Sequence, residues 1–177
     1  MFEKYTDINL KFVEAISRLL CFKNFKKITV SDLAREANLS RRTFYNYYSS
    51  KNEFYNTAIY ILLDEITKIL NSDPTLGCEI LTEMFTFIYK NKNIFFSFVI
   101  NYPNIKRIIK EYIEVTVVYS AIPNLRERLE ISYKIPYDYA LELYILTIES
   151  IILKWIENNF DQTPERIASF IVISTKI

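Results

Sequence analysis

A single glycine, Gly77, serves the whole of a 177-residue chain. Tight reverse turns, bulges and left-handed connections draw on glycine, so a chain with one glycine and five prolines lacks the turns that a sandwich or barrel needs. The same scarcity excludes the Gly-rich phosphate cradles of P-loop and dinucleotide-binding folds. Histidine is absent, which removes Ser-His-Asp and Cys-His nucleophile pairs, His-ligated zinc or haem and histidine general bases. The chain is therefore not expected to be an enzyme, and no catalytic residue, metal or cofactor is expected. Half of the residues are hydrophobic, enough for one core or two small ones.

Helical periodicity fills the space that turns leave. Ile8, Phe12, Ala15, Ile16, Leu19 and Leu20 recur at steps of three and four after Thr6 or Asp7, either a good N-cap. Thr29-Val30-Ser31-Asp32 opens a short helix through Leu33, Ala34 and Ala37 in the manner of a capping box. Asn38-Leu39-Ser40 ends it: Asn38 tolerates the left-handed conformation, and Ser40 can cap the next helix, 41–48. Ser50-Lys51-Asn52-Glu53 starts another. Prolines punctuate the rest, giving expected helices near 51–71, 75–90, 92–101, 104–120, 124–133, 137–159 and 164–175. No segment alternates with period two, so the expected fold is all-α despite many Tyr, Phe and Ile residues.

The two cysteines, Cys21 and Cys78, fit neither a zinc ribbon nor a CxxC pair and are expected to be buried thiols. The N-terminus carries charge and no signal-peptide pattern, and the longest uncharged stretch, 93–105, is too short and polar to span a bilayer. The expected location is the cytoplasm, with no membrane partner.

Charge is unevenly placed. Residues 1–55 hold ten Lys/Arg against six Asp/Glu, net +4; residues 56–177 hold twelve against fifteen, net −3. The basic third contains the helix–turn–helix of residues 29–48. In its second helix Phe44 and Tyr48 are spaced to pin the helix onto Leu33, Ala37 and the first helix. The other face presents Arg41, Arg42, Thr43, Tyr45, Asn46 and Tyr47. Arginine pairs with guanine edges and asparagine with adenine, while hydroxyls suit phosphate oxygens, as a helix entering the major groove requires. Lys26 and Lys27 read as solvated charge that adds to salt-dependent attraction.

The stretch from Ile28 to Phe54, with its aliphatic-Ala pair, Ser-x-x-Thr-Phe-Tyr-x-Tyr-aromatic run and Lys-x-Glu, resembles the DNA-binding signature of the TetR family of bacterial transcription regulators. The resemblance covers roughly residues 8–55. It implies that Thr29, Thr43, Tyr47 and Lys51 touch phosphates, that Arg41, Arg42 and Tyr45 contact bases or adjoining backbone, and that Ser31 and Ser40 sit beside them. Asn24 and Asn38 stand where the family often has glycine, and asparagine suits the positive φ that such turns use. The implied organisation is a helix-turn-helix DNA-binding domain at 1–50 and a helical ligand-binding and dimerisation domain at 51–177. The implied partners are a pseudo-palindromic double-stranded operator, a second copy of the chain and an unidentified small-molecule effector that releases the DNA. A co-activator working with a partner protein, and a helical small-molecule-binding protein or enzyme without DNA function, are the alternatives.

The segment 137–159 is apolar on every side, so more than one of its faces is expected to be covered, one of them by a symmetry mate. With the last helix it nominates Ile148, Ile152, Trp155, Ile167, Phe170 and Ile171 for a two-fold interface. The run Lys154–Asn159 followed by Thr163-Pro164-Glu165 resembles the ending of one common TetR-type C-terminal domain. For an effector cavity the candidates are Phe85, Tyr89, Phe98 and Tyr102, with Tyr112, Tyr119 and Tyr144 further on. Glu149, inside the apolar helix, is the sharpest polar candidate.

Overall fold

The computed structural model describes residues 5–175, so Lys4 of the basic segment lies outside the described residues. Among these residues the chain is helical without a strand: α1 (Asp7–Leu19), α2 (Val30–Glu36), α3 (Arg41–Tyr47), α4 (Lys51–Leu70), α5 (Cys78–Lys90), α6 (Lys92–Asn101), α7 (Ile105–Val118), α8 (Leu125–Tyr133), α9 (Tyr137–Glu157) and α10 (Pro164–Thr175). A 3-10 turn, Phe25–Lys27, is not evident from periodicity. None of these helices is long and apolar enough to cross a membrane. The residues cluster into two compact units, 1–65 and 66–177, the division falling inside α4; the capping pattern suggests a division at 50/51.

The helix ends follow from their caps. Thr6 and Thr29 each close a capping box, with Asn9 and Asp32 at the third helical position, and Ser40 accepts from the Thr43 amide at 2.9 Å. At the end of α2, Asn38 has φ 54°. The Asn38 amide donates to Arg35 O (3.1 Å) and the Leu39 amide to Ala34 O (2.8 Å), the paired bonds of a Schellman stop. Asn159 and Phe160 end α9 in the same way, with bonds to Ile156 O and Trp155 O. The Phe160 ring lies 4.9 Å from that of Trp155.

Asn24 departs from expectation. Its φ is −62°, and its role is to cap: the side-chain oxygen accepts from the Lys26 amide at 3.0 Å and heads the 3-10 turn. Nor does the lone glycine use positive φ. Gly77 sits at φ −66°, ψ 171° before α5, and a Cβ there would meet only Thr75 Oγ1 at 3.8 Å and Asp73 Oδ2 at 3.9 Å. Gly77→Ala should therefore change stability by less than about 0.5 kcal/mol, the entropic gain offsetting a slightly poorer cap. Thermal melting of the two proteins checks this.

In the first unit α1 packs on α2 and α2 on α3. Arg18 of α1 donates to the Glu36 carboxylate (2.7 Å) and to the Glu36 carbonyl (3.2 Å), satisfying one of the last carbonyls of α2. In the second unit α9 is the hub: α6, α7, α8 and α10 all pack against it, and α10 also covers α5. That accounts for the all-round apolar character of α9 without a second subunit on every side. Both cysteines are exposed, contrary to expectation. Cys21 lies in the turn after α1, and Cys78 begins the exposed first turn of α5.

Candidate nucleic-acid interface

The α3 helix is held by aromatic packing and offers its remaining face to solvent. Phe44 is fully buried, its ring 5.3 Å from Phe12, 5.1 Å from Tyr48 and 5.7 Å from Phe54, mostly edge to face. Tyr48 is buried as well, and its hydroxyl accepts a hydrogen bond from the Asn9 side-chain amide. Burial raises the Tyr48 pKa, so the phenol stays protonated. Arg41, Arg42, Tyr45, Asn46 and Tyr47 are exposed, and among the described residues no carboxylate pairs with either arginine. The division of α3 into a buried aromatic edge and a polar outer face is the one its sequence spacing requires.

The hydroxyls near α2 and α3 are partly engaged. The Thr29 hydroxyl donates its proton to Asp32 Oδ2 (2.7 Å) and accepts from the Asp32 amide (3.1 Å). Ser40 and Thr43 share one hydrogen bond at 2.8 Å, which leaves one of their two hydroxyl protons to donate outward. Ser31 is exposed beside them. Lys51 donates to the Ile28 carbonyl at 2.8 Å and lies 5.7 Å from the Tyr55 ring centroid. An ammonium has three protons, so two directions remain for a phosphate.

Sequence reasoning misses what fixes α2. The Asp32 carboxylate, 8% exposed as a residue, accepts from Lys23, from the Thr29 hydroxyl and amide and from Arg35. The Lys23 bond, then the two Thr29 bonds, hold its pKa well below the usual carboxylate range. A depressed carboxylate stabilises the fold above its unfolded pKa and loses that contribution as pH falls below it. Asp32→Asn should accordingly flatten the acid limb of the stability curve below about pH 4, which denaturant melts across pH would show. The capping box announces Asp32; Lys23, nine residues earlier, carries no local signal.

The effector candidates do not converge on one place. Phe85 and Tyr89 both lie against Trp155, at 5.5 and 6.4 Å between rings. Phe98 is buried and meets the edge of Tyr102. Tyr112 shares a hydrogen bond with Thr67 at 2.9 Å. Tyr144 is buried, its pKa pushed up to about 12 by desolvation against a bond to Thr175. Glu149 is half-buried on α9, where its charge acts on Lys110. Tyr119 requires correction: at 83% exposed, as the residue that ends α7, it lines no interior.

The interface candidates also divide. Ile148, Ile152, Trp155, Ile167 and Ile171 are all buried within their own unit, because α6, α7, α8 and α10 pack on α9 and α5 packs on α10. Trp155 in addition donates its indole N–H to Gln162 O at 2.9 Å. Phe170 is 37% exposed. Exposed apolar side chains on these two helices are Tyr139, Leu143 and Leu146 on α9 and Val172 and Ile173 on α10.

The family model of bacterial regulatory proteins, tetR family, matches residues 12–58, and that of the transcriptional regulator C-terminal region matches residues 78–176. No curated protein matches. Among solved structures the chain is similar to the dihydroxyacetone kinase operon activator DhaS, with 17% identity over 96% of this chain and 94% of that chain and a TM-score of 0.72. A transcriptional regulator of the TerR/AcrR family from Aquifex aeolicus VF5 has 18% identity over 96% and 98% of the two chains, with a TM-score of 0.63. Thermus thermophilus FadR, a TetR-family transcriptional repressor in complex with lauroyl-CoA, has 16% identity over 94% and 92%, with a TM-score of 0.50. At such identities the likeness speaks for the fold alone.

Proposed function

Since this chain belongs to the tetR family of bacterial regulatory proteins, a family of DNA-binding transcriptional regulators and not of enzymes, we propose that it acts in the cytoplasm as a homodimeric repressor released from its operator by a small molecule. One observation carries the DNA reading: α3 buries Phe44 and Tyr48 and turns Arg41, Arg42, Tyr45 and Asn46 outward. In this reading Arg41, Arg42 and Asn46 meet base edges, while Thr43, Tyr47 and Lys51 meet phosphates. Thr29, with its hydroxyl proton on Asp32, acts mainly by shaping the start of α2.

The dimer reading is supported by apolar side chains left open on adjacent helices. Tyr139, Leu143 and Leu146 follow one another at four and three residues on α9, and Phe170 and Ile173 at three on α10, which packs on α9. An isologous pair of such faces would set two α3 helices about one DNA turn apart, roughly 34 Å, or a multiple of it. Leu146→Glu with Ile173→Glu should yield a folded monomer by sedimentation, and an unchanged dimer would refute this face.

Binding to a panel of duplexes tests the residue roles. Lys51→Ala should weaken all sequences alike and lower the salt slope by about 1, whereas Arg41→Ala should relax preference at one base position at a cost of about 1–3 kcal/mol. Identical behaviour of the two variants would refute the assignment. A second reading, a co-activator working with a partner protein, draws support from the likeness to an operon activator. A reporter that falls on deletion of the gene would favour it over repression.

A further inference from the structure

The basic residues of the first unit divide by what they touch. Arg18 is paired with Glu14 and Glu36, Lys23 and Arg35 with Asp32, and Lys51 is engaged with a carbonyl. Among the described residues no ion pair joins Lys26 or Lys27 to a carboxylate, and both side chains are exposed, as are those of the likewise unpaired Lys11 on α1 and Arg41 and Arg42 on α3.

Their mounting is well defined. With three residues per turn, a 3-10 helix points successive side chains about 120° apart, so one can face inward while two face out. Phe25 is the inward one, 8% exposed, its ring 4.6 Å from Tyr55. The Asn24 side chain caps the turn at the Lys26 amide, and the Lys27 amide donates to Asn24 O at 2.9 Å. At the other end Lys51 holds the Ile28 carbonyl, immediately before the Thr29 cap of α2. Lys26 and Lys27 are thus fixed just ahead of α2 with their charges open to solvent, in a unit that neutralises Arg18, Lys23 and Arg35 internally.

We propose that Lys26 and Lys27 are a second phosphate contact of the DNA-binding unit, beside the start of α2 and separate from the outer face of α3. The assignment rests on the DNA reading above and deepens it. These lysines supply attraction to the backbone and no base preference, since an ammonium on a flexible stem meets a phosphate as a point charge.

The test uses the full chain, a mixed-sequence duplex of about 30 base pairs, and salt from about 50 to 200 mM. Lys26→Gln/Lys27→Gln should reduce the slope of log affinity against log salt by about 0.9 for each phosphate no longer neutralised, about 1.8 per bound protomer. The thermal melt should be unchanged, because neither side chain is buried. A control, Lys134→Gln/Lys154→Gln, removes two exposed charges from the second unit and should keep the wild-type slope. Wild-type binding with an unmoved slope in the Lys26/Lys27 variant, or an equal change in the control, overturns this assignment alone. Wild-type protein without salt-dependent binding overturns the DNA reading and this assignment together.

Discussion

Phe44→Ala is expected to cost about 3–5 kcal/mol and to abolish DNA binding by unfolding the first unit, not by removing a contact to DNA. Phe44 has no exposed surface, and it meets four other aromatic rings: Phe12 of α1, Phe54 of α4, and Tyr45 and Tyr48 of its own helix and its end. A cavity at that point leaves Phe12, Tyr48 and Phe54 without their shared partner. The unit is small, and total stabilities of small domains run to about 5–15 kcal/mol, so the loss is a large fraction of what holds it. Far-ultraviolet circular dichroism and denaturant melts of the variant check the claim. Phe44→Leu, which refills most of the space, should restore much of both stability and binding.

Trp155→Ala is the second large effect, again about 3–5 kcal/mol. The indole is 1% exposed, receives the edges of Phe85 and Phe160, stacks with Tyr89 and bonds to Gln162 O. Its loss should lower the stability of the second unit by an amount that does not depend on protein concentration. A variant that stays fully folded and merely dissociates would instead return Trp155 to the subunit interface, where sequence pattern alone puts it.

Those two residues show what is legible in the sequence and what is not. The place of Phe44 can be read because its role is local: it sits four residues from Tyr48 on a helix bounded by Ser40, so spacing and caps determine which face turns inward. Five helix ends are readable for the same reason, from Thr6, Thr29, Asn38, Ser40 and Pro164. The place of Trp155 cannot, because an all-round apolar helix reveals that several faces are covered but not by which elements. Helices α6, α7, α8 and α10 pack on α9, and Trp155 itself meets Phe85 and Tyr89 of α5, far away in sequence. The same limit hides the Asn9–Tyr48 hydrogen bond, across 39 residues, and the partnership of Lys23 with Asp32. Asn24 differs for another reason: a side chain able to adopt positive φ is also able to cap, and capping is what the 3-10 turn uses.

The candidate site is legible as a set of outward-facing residues on α3. How many of its hydroxyl protons remain free is not, because that depends on the rotamers of Thr29, Ser40 and Thr43. The shortage of glycine proves informative through other residues: left-handed turns at Asn38, Leu76, Asn124, Lys134, Asn159 and Phe160 are made without it.

In the proposed function two copies of α3 read a two-fold site in duplex DNA. Selection of bound duplexes from a random pool by the purified protein, followed by affinity measurements across salt concentration, tests it most directly. The expected result is enrichment of a sequence with two inverted half-sites about one helical turn or a multiple apart, bound at least about 10³-fold more tightly than random duplex and progressively less tightly as salt rises. Absence of any enriched sequence, or binding indifferent to salt, would contradict it.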